Sequence, residues 1–167
     1  MSEQYCEVPV KCVDTVQAKL KRIGLILLII VTIPLMAINQ FMYLIPVAAT
    51  VFCIYMFPRL KAQEYEYIYV DGQIDFDRIS GGVKRKTMYR VDLENVAVVA
   101  PTGSDDVREF DNREGLKTKN FSSLAKDAKT YTLIEERAGV TTKIIFEPDE
   151  DMLDKMKFKA PRKIKKY

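Results

Sequence analysis

The chain has 167 residues, of which 26 are Lys or Arg and 23 Asp or Glu, for a net charge of +3, with three cysteines and no histidine. Without His it lacks the commonest general base and the commonest metal ligand, and Cys6, Cys12 and Cys53 match neither a zinc site nor a redox pair. Their reading as free thiols fits a reducing compartment.

The first segment, residues 1–20, carries Val8, Val10, Val13 and Val16 among polar residues. Two readings stay open for it: a short interfacial stretch or a mobile terminus.

From Ile23 to Phe57 no residue is charged, and the strongly polar Asn39 and Gln40 are adjacent. As one straight helix, at about 1.5 Å per residue, this run would reach some 50 Å, far beyond the roughly 30 Å hydrocarbon core of a bilayer. The expectation is therefore a transmembrane helical hairpin over residues 21–58. Its helices are set at Lys21–Ile38 and Phe41–Phe57, joined by a turn at Asn39–Gln40 and bent at Pro34 and Pro46. Lys19, Lys21 and Arg22 before it and Arg59 and Lys61 after it would place both termini in the cytoplasm of a multi-pass cell-membrane protein. A cleaved signal peptide is the competing reading, but the apolar run continues well past the length of a signal h-region.

Residues 59–160 change to short alternating runs between turn residues, which predicts a sheet. EYEYIYV (64–70) sets Tyr65, Tyr67 and Tyr69 on one face, Asp71-Gly72 turns into IDFDRI (74–79), and Ser80-Gly81-Gly82 turns into VKRKTMYRV (83–91). VAVVA (96–100) reads as a buried strand ended by Pro101, and 102–115 as a long mobile loop. Strands are predicted near 116–121, at 131–136 and, after Ala138-Gly139, at 141–147. A closing helix follows, with Pro148 in its first position, Asp149, Glu150 and Asp151 at its positive end, and Met152, Leu153 and Met156 as an apolar stripe.

Seven strands closed by one C-terminal helix resemble a bacterial pleckstrin-homology-like (PH-like) domain, a split barrel of two antiparallel sheets. In EVPVK, YEYIYVDGQIDFDRI, the VVAP strand end and FEPDEDMLDKMKFKAPRK, the chain is similar to an uncharacterised family of small two-span membrane proteins from Gram-positive, clostridial-type bacteria. The resemblance implies a fold and brings no activity or catalytic residue. The expected fold class is thus an α+β membrane protein: a two-helix transmembrane hairpin, then a mostly antiparallel β PH-like split barrel with a C-terminal helix.

Residues 59–156 hold 16 basic and 20 acidic side chains, whereas Lys157–Tyr167 hold six basic and none acidic. Lys157, Lys159, Arg162, Lys163, Lys165 and Lys166 are therefore the candidate contact for anionic lipid, each adding about 1 kcal/mol near an anionic leaflet. The alternative is that this tail, KFKAPRKIKK (157–166), is disordered and solubilising; residues 161–167 are set apart as a basic tail. Lys84, Arg85 and Lys86, with Arg78 and Arg90, form the other basic cluster, but strand alternation sends Arg85 to the face opposite Lys84 and Lys86. The acidic group at 149–154 lacks the calcium-loop pattern and reads as helix N-terminal charge. No catalytic, cofactor or metal residue is assigned. The functional expectation is a membrane-anchored, non-enzymatic binding or scaffold module whose partners are the lipid bilayer and a protein, with neither nucleic acid nor a small-molecule substrate. The alternatives are a lipid- or envelope-stress-sensing accessory and, disfavoured by the residue inventory, an enzyme.

Overall fold

The computed structural model describes residues 5–13, 16–34, 43–56, 64–80 and 84–166. It divides into two compact units: Met1–Cys12 with Glu64–Ile79 and Arg85–Tyr167, and Val13–Gln63 with Ser80–Lys84.

The first unit is built on two four-stranded sheets. β1 (Tyr5–Lys11), β2 (Glu64–Val70), β3 (Gln73–Ser80) and β4 (Lys84–Asp92) lie side by side in chain order. The second sheet has the order β5 (Val96–Pro101), β7 (Tyr131–Arg137), β8 (Val140–Phe146), β6 (Lys117–Asn120), with β6 parallel to β8. All seven predicted strands are present. β1 is an eighth, and it corrects the reading of residues 5–11 as interfacial or mobile: Cys6, Val8 and Val10 are buried in alternation, and the strand pairs antiparallel with β2. Pro9 is tolerated because β1 is an edge strand, where a missing N–H costs no ladder bond.

The inward residues of both sheets meet in one aromatic core. Tyr67, Phe76, Phe121 and Phe146 touch with ring centroids 4.8–5.7 Å apart, the range in which edge and offset contacts are favourable. The Tyr67 hydroxyl donates to the Phe121 carbonyl at 2.6 Å and lies 3.3 Å from the Glu147 N–H, so the buried phenol is satisfied. Asp71 and Gly72 both have positive φ, as do Ala138 and Gly139, which is the backbone that two-residue hairpins require.

α4 (Glu150–Lys159) lays Met152, Leu153 and Met156 into this core. Asp149 is its N-cap, accepting from the Met152 N–H at 2.8 Å, so Pro148 stands before the cap rather than inside the helix. Residues 102–115 hold the short helix α3 (Asp105–Arg108), whose Val107, with Phe110, packs on Val98, Ala100 and Ile134. The expectation of a mobile loop there is corrected. Val98 and Ala100 alternate with Val99, so β5 is covered on both faces.

The second unit contains α1 (Val16–Thr32) and α2 (Leu44–Met56), of 17 and 13 residues. At 1.5 Å per residue these are about 26 and 20 Å long, against roughly 30 Å of hydrocarbon and about 20 apolar residues for a span. The apolar part of α1 is shorter still, because Lys19, Lys21 and Arg22 occupy its first half. Among the described residues no helix is long and apolar enough to cross a membrane. This overturns the transmembrane hairpin over 21–58, the membrane-protein fold class and the multi-pass cell-membrane localisation, and the placing of both termini, which rested on orienting spans, falls with them. The Cys53 thiol meets the Leu25 carbonyl at 3.5 Å, while Ile23, Leu27, Ile30, Val31, Val51 and Ile54 are exposed. The expected turn at Asn39–Gln40, the flanks Arg59 and Lys61, and Gly81-Gly82 lie outside the described residues.

Candidate functional site

The chain beyond α4 turns back onto the second sheet. Ile164 is 2 % exposed and forms a parallel bridge with Val99; the Val99 N–H donates to the Lys163 carbonyl and the Lys165 N–H to the Val99 carbonyl, both at 2.8 Å. The Tyr131 hydroxyl donates to the Lys166 carbonyl at 3.0 Å. The alternative of a disordered tail over 157–166 is therefore corrected: 157–159 end α4 and 163–166 are held against β5 and Tyr131. One buried isoleucine and two ladder bonds hold the segment against the edge of β5.

This return path makes one wall of an open groove of about 780 Å³. Val70, Asp71, Gly72 and Gln73 of the β2–β3 turn form a second wall, and Asp92, Leu93 and Glu94 at the end of β4 a third. The walls are tied together. Lys159 Nζ donates to Asp71 Oδ1 at 2.8 Å, and Lys163 Nζ donates to the Leu93 and Glu94 carbonyls, each at 2.8 Å. The Leu93 N–H reaches the Gly72 carbonyl at 2.8 Å. Asp92 and Glu94 make no ion pair among the described residues, and Asp92 caps nothing with its side chain. The volume lies within the range of small-ligand clefts, roughly 300–1,000 Å³.

The six cations of the C-terminal segment thus fall into two sets. Lys159, Lys163 and the Lys166–Asp154 pair are engaged in holding the fold. Lys157, Arg162 and Lys165 are exposed, and none of them makes an ion pair among the described residues. On β4, Arg85 pairs with Glu66 and faces Asp77 at 3.7 Å, and Arg90 holds Asp75 with two bonds of 2.7 Å, an arrangement that raises the Arg90 pKa. Two members of that basic cluster, Arg85 and Arg90, are thus paired across strands with acids of β2 and β3.

Among the described residues, the groove lining holds no Ser, Thr or Cys. Among the described residues no group of three His, Cys, Asp or Glu could hold a metal ion, and all three cysteines are free. Burial, then the Asp151 and Asp149 carboxyls, pushes the Cys6 thiol up to about 11, which makes it a poor nucleophile near neutrality. A buried polar group sits elsewhere: Glu135, 1 % exposed, accepts from the Tyr89 hydroxyl at 2.6 Å. Burial, then Glu135, raises the Tyr89 pKa, and Lys119 Nζ lies 3.9 Å from the centre of its ring.

Sequence reasoning found three groove residues, Lys159, Arg162 and Lys163, but assigned them to lipid contact. It missed Val70, Gln73, Asp92, Leu93 and Glu94, which converge from separate strands; Asp71-Gly72 was legible as a turn, not as a wall.

Two four-stranded sheets around a shared core, with a C-terminal helix packed into it, define an α+β fold of the PH-like class. The chain belongs to the bacterial PH-like domain family (DUF6106), whose family model matches residues 2–166. The match carries the PH-like fold, and does not extend to membrane spans or to a clostridial source. No curated protein and no solved structure matches the chain.

Proposed function

We propose that this protein is a non-enzymatic binding module whose groove takes a short extended segment of a protein partner. The module is the first unit, Met1–Cys12 with Glu64–Ile79 and Arg85–Tyr167. The observation that carries the reading is the construction of the groove: three separate segments form its walls, and Lys159 and Lys163 lock them together, so the site is preformed. A preformed cleft loses little ordering entropy on binding. Leu93, Ala160 and Pro161 supply apolar lining, whereas Asp92 and Glu94 offer two carboxylates that make no ion pair within 4 Å among the described residues. The segment received is one with a basic residue beside an apolar one.

Peptides selected from a displayed library against the full chain test this. Basic-apolar sequences are expected, with binding weakened roughly tenfold or more in D92N and E94Q, the scale of a lost charge-assisted hydrogen bond, and unchanged in D105N on α3. Selected peptides that lack a basic residue, or that bind D92N/E94Q as tightly as wild type, would refute the groove as the site.

A further inference from the structure

Phe158 is 79 % exposed, more than any other large apolar side chain among the described residues of this chain. It stands in the last turn of α4. Met152, Leu153 and Met156 face the core, and at 100° per residue Phe158 falls on the opposite side of the helix. The ring is flanked in sequence by Lys157 and Lys159. The Lys166–Asp154 pair brings the end of the chain back to the outer face of α4, four residues before Phe158. The acids on this face are neutralised in place, Asp154 by Lys166 and Asp151 by Lys155. Glu150 and Asp151 lie at the far end of α4, about 10 Å away by helix rise. What remains at this end of α4 and on the segment that follows it is one bare aromatic side chain and three exposed cations, Lys157, Arg162 and Lys165, that make no ion pair among the described residues.

We infer that this end of α4 is a peripheral docking surface for an anionic lipid leaflet, with Phe158 as the apolar anchor and Lys157, Arg162 and Lys165 as its headgroup contacts. Aromatic rings are favoured at the interfacial level of a bilayer, and lysine and arginine near an anionic leaflet are attracted by its surface potential. Neither group suffices alone: a single exposed ring is common on protein surfaces, and loose cations bind weakly. Their juxtaposition selects an anionic surface over a zwitterionic one. It also narrows the six cations expected from the sequence to three, because Lys159, Lys163 and Lys166 are occupied within the fold.

The chain contains no tryptophan, so F158W places a single indole reporter at the proposed anchor. The full chain carrying F158W is mixed with phosphatidylglycerol or with phosphatidylcholine vesicles, and the indole emission is followed. A reading local to residue 158 is needed because α1 and α2 expose apolar side chains of their own. The expected result is a blue shift with phosphatidylglycerol and none with phosphatidylcholine, reversed by about 0.5 M salt, where the Debye length is well under 10 Å. K157Q/R162Q/K165Q in the same background is expected to weaken the response roughly a hundredfold, as three cations at the leaflet imply. K84Q/K86Q on β4 and D92N/E94Q in the groove leave it unchanged; because Arg162 also lines the groove, K157Q/K165Q, which touches no groove residue, must by itself weaken the response. An indole that stays in water with phosphatidylglycerol, shifts equally with both lipids, or ignores the triple substitution would overturn the inference.

Discussion

Ile164→Ala is the sharpest test of whether the C-terminal segment belongs to the fold. Ile164 is 2 % exposed and packs with Val99, Leu133 and Met156 in the shared core. Replacing a fully buried isoleucine by alanine removes its transfer free energy and leaves a cavity, and in well-packed interiors the sum is about 2–5 kcal/mol. Here the backbone bonds of Val99 with Lys163 and Lys165, the Lys163 bonds to the Leu93 and Glu94 carbonyls, the Tyr131 bond to Lys166 and the Lys166–Asp154 pair tether the segment, but Ile164 is its one fully buried apolar side chain among the described residues. The segment can therefore detach instead of leaving a void, which caps the loss near the lower end, at about 2–3 kcal/mol, the value of the lost apolar burial. Denaturant unfolding of the full chain reads this loss as a lowered midpoint. Hydrogen exchange adds a local reading, since the Lys165 amide, bonded to the Val99 carbonyl, is protected in the wild type and exchanges freely in the variant. A variant within about 0.5 kcal/mol of wild type, with the Lys165 amide already unprotected in the parent, would show that residues 161–166 are a loose tail.

Three further outcomes follow from the core and its borders. Tyr67→Phe leaves the Phe121 carbonyl and the Glu147 N–H without their buried partner and is expected to cost about 2–4 kcal/mol in denaturant unfolding; a neutral result would mean the hydroxyl is not satisfied as described. Phe110→Ala strips the small apolar cluster beneath residues 102–115, so limited proteolysis should cut there far faster while the aromatic core keeps its near-ultraviolet dichroism, and unchanged cleavage would argue against the packing of α3. The Cys6 thiol, with its pKa raised to about 11, is roughly one part in a thousand thiolate at pH 8 and should alkylate only slowly until the protein is unfolded. The same shift sets the sign of a pH effect: the folded state holds the proton more tightly, so its stability contribution is complete below the ordinary thiol pKa near 9 and is lost as pH rises from there to about 11. Rapid labelling of the native protein at pH 8 would contradict the buried position of β1.

Alternation and turn chemistry, both local properties, were enough to locate β2 to β8 in the sequence. Tyr65, Tyr67 and Tyr69 were legible as one face of a strand because side chains alternate across it, and Asp71-Gly72 because few other pairs accept two positive φ values. The acids before Met152 marked the start of α4 for a similar reason, since helix ends need acceptors for free N–H groups. Even there the local rule misplaced Pro148, which precedes the cap instead of entering the helix.

Tertiary structure decided the partners. Cys6, Val8 and Val10 alternate too, but a seven-residue strand has no stability until its burial against β2, more than fifty residues away, offsets the ordering of its backbone. Val107 and Phe110 in an acidic loop, and Ile164 among lysines, carry too little apolar surface for any window of sequence to register, yet each meets a prepared face of the second sheet and is buried there. The hydropathy of residues 23–57 displays apolar content and not the length of each helix, and the described helices of 17 and 13 residues are set by where the backbone hydrogen bonds start and stop. The groove and the pairing of Lys159, Lys163 and Lys166 exist only once segments distant in sequence converge, because a periodicity names the face a side chain occupies and not the side chain it will meet.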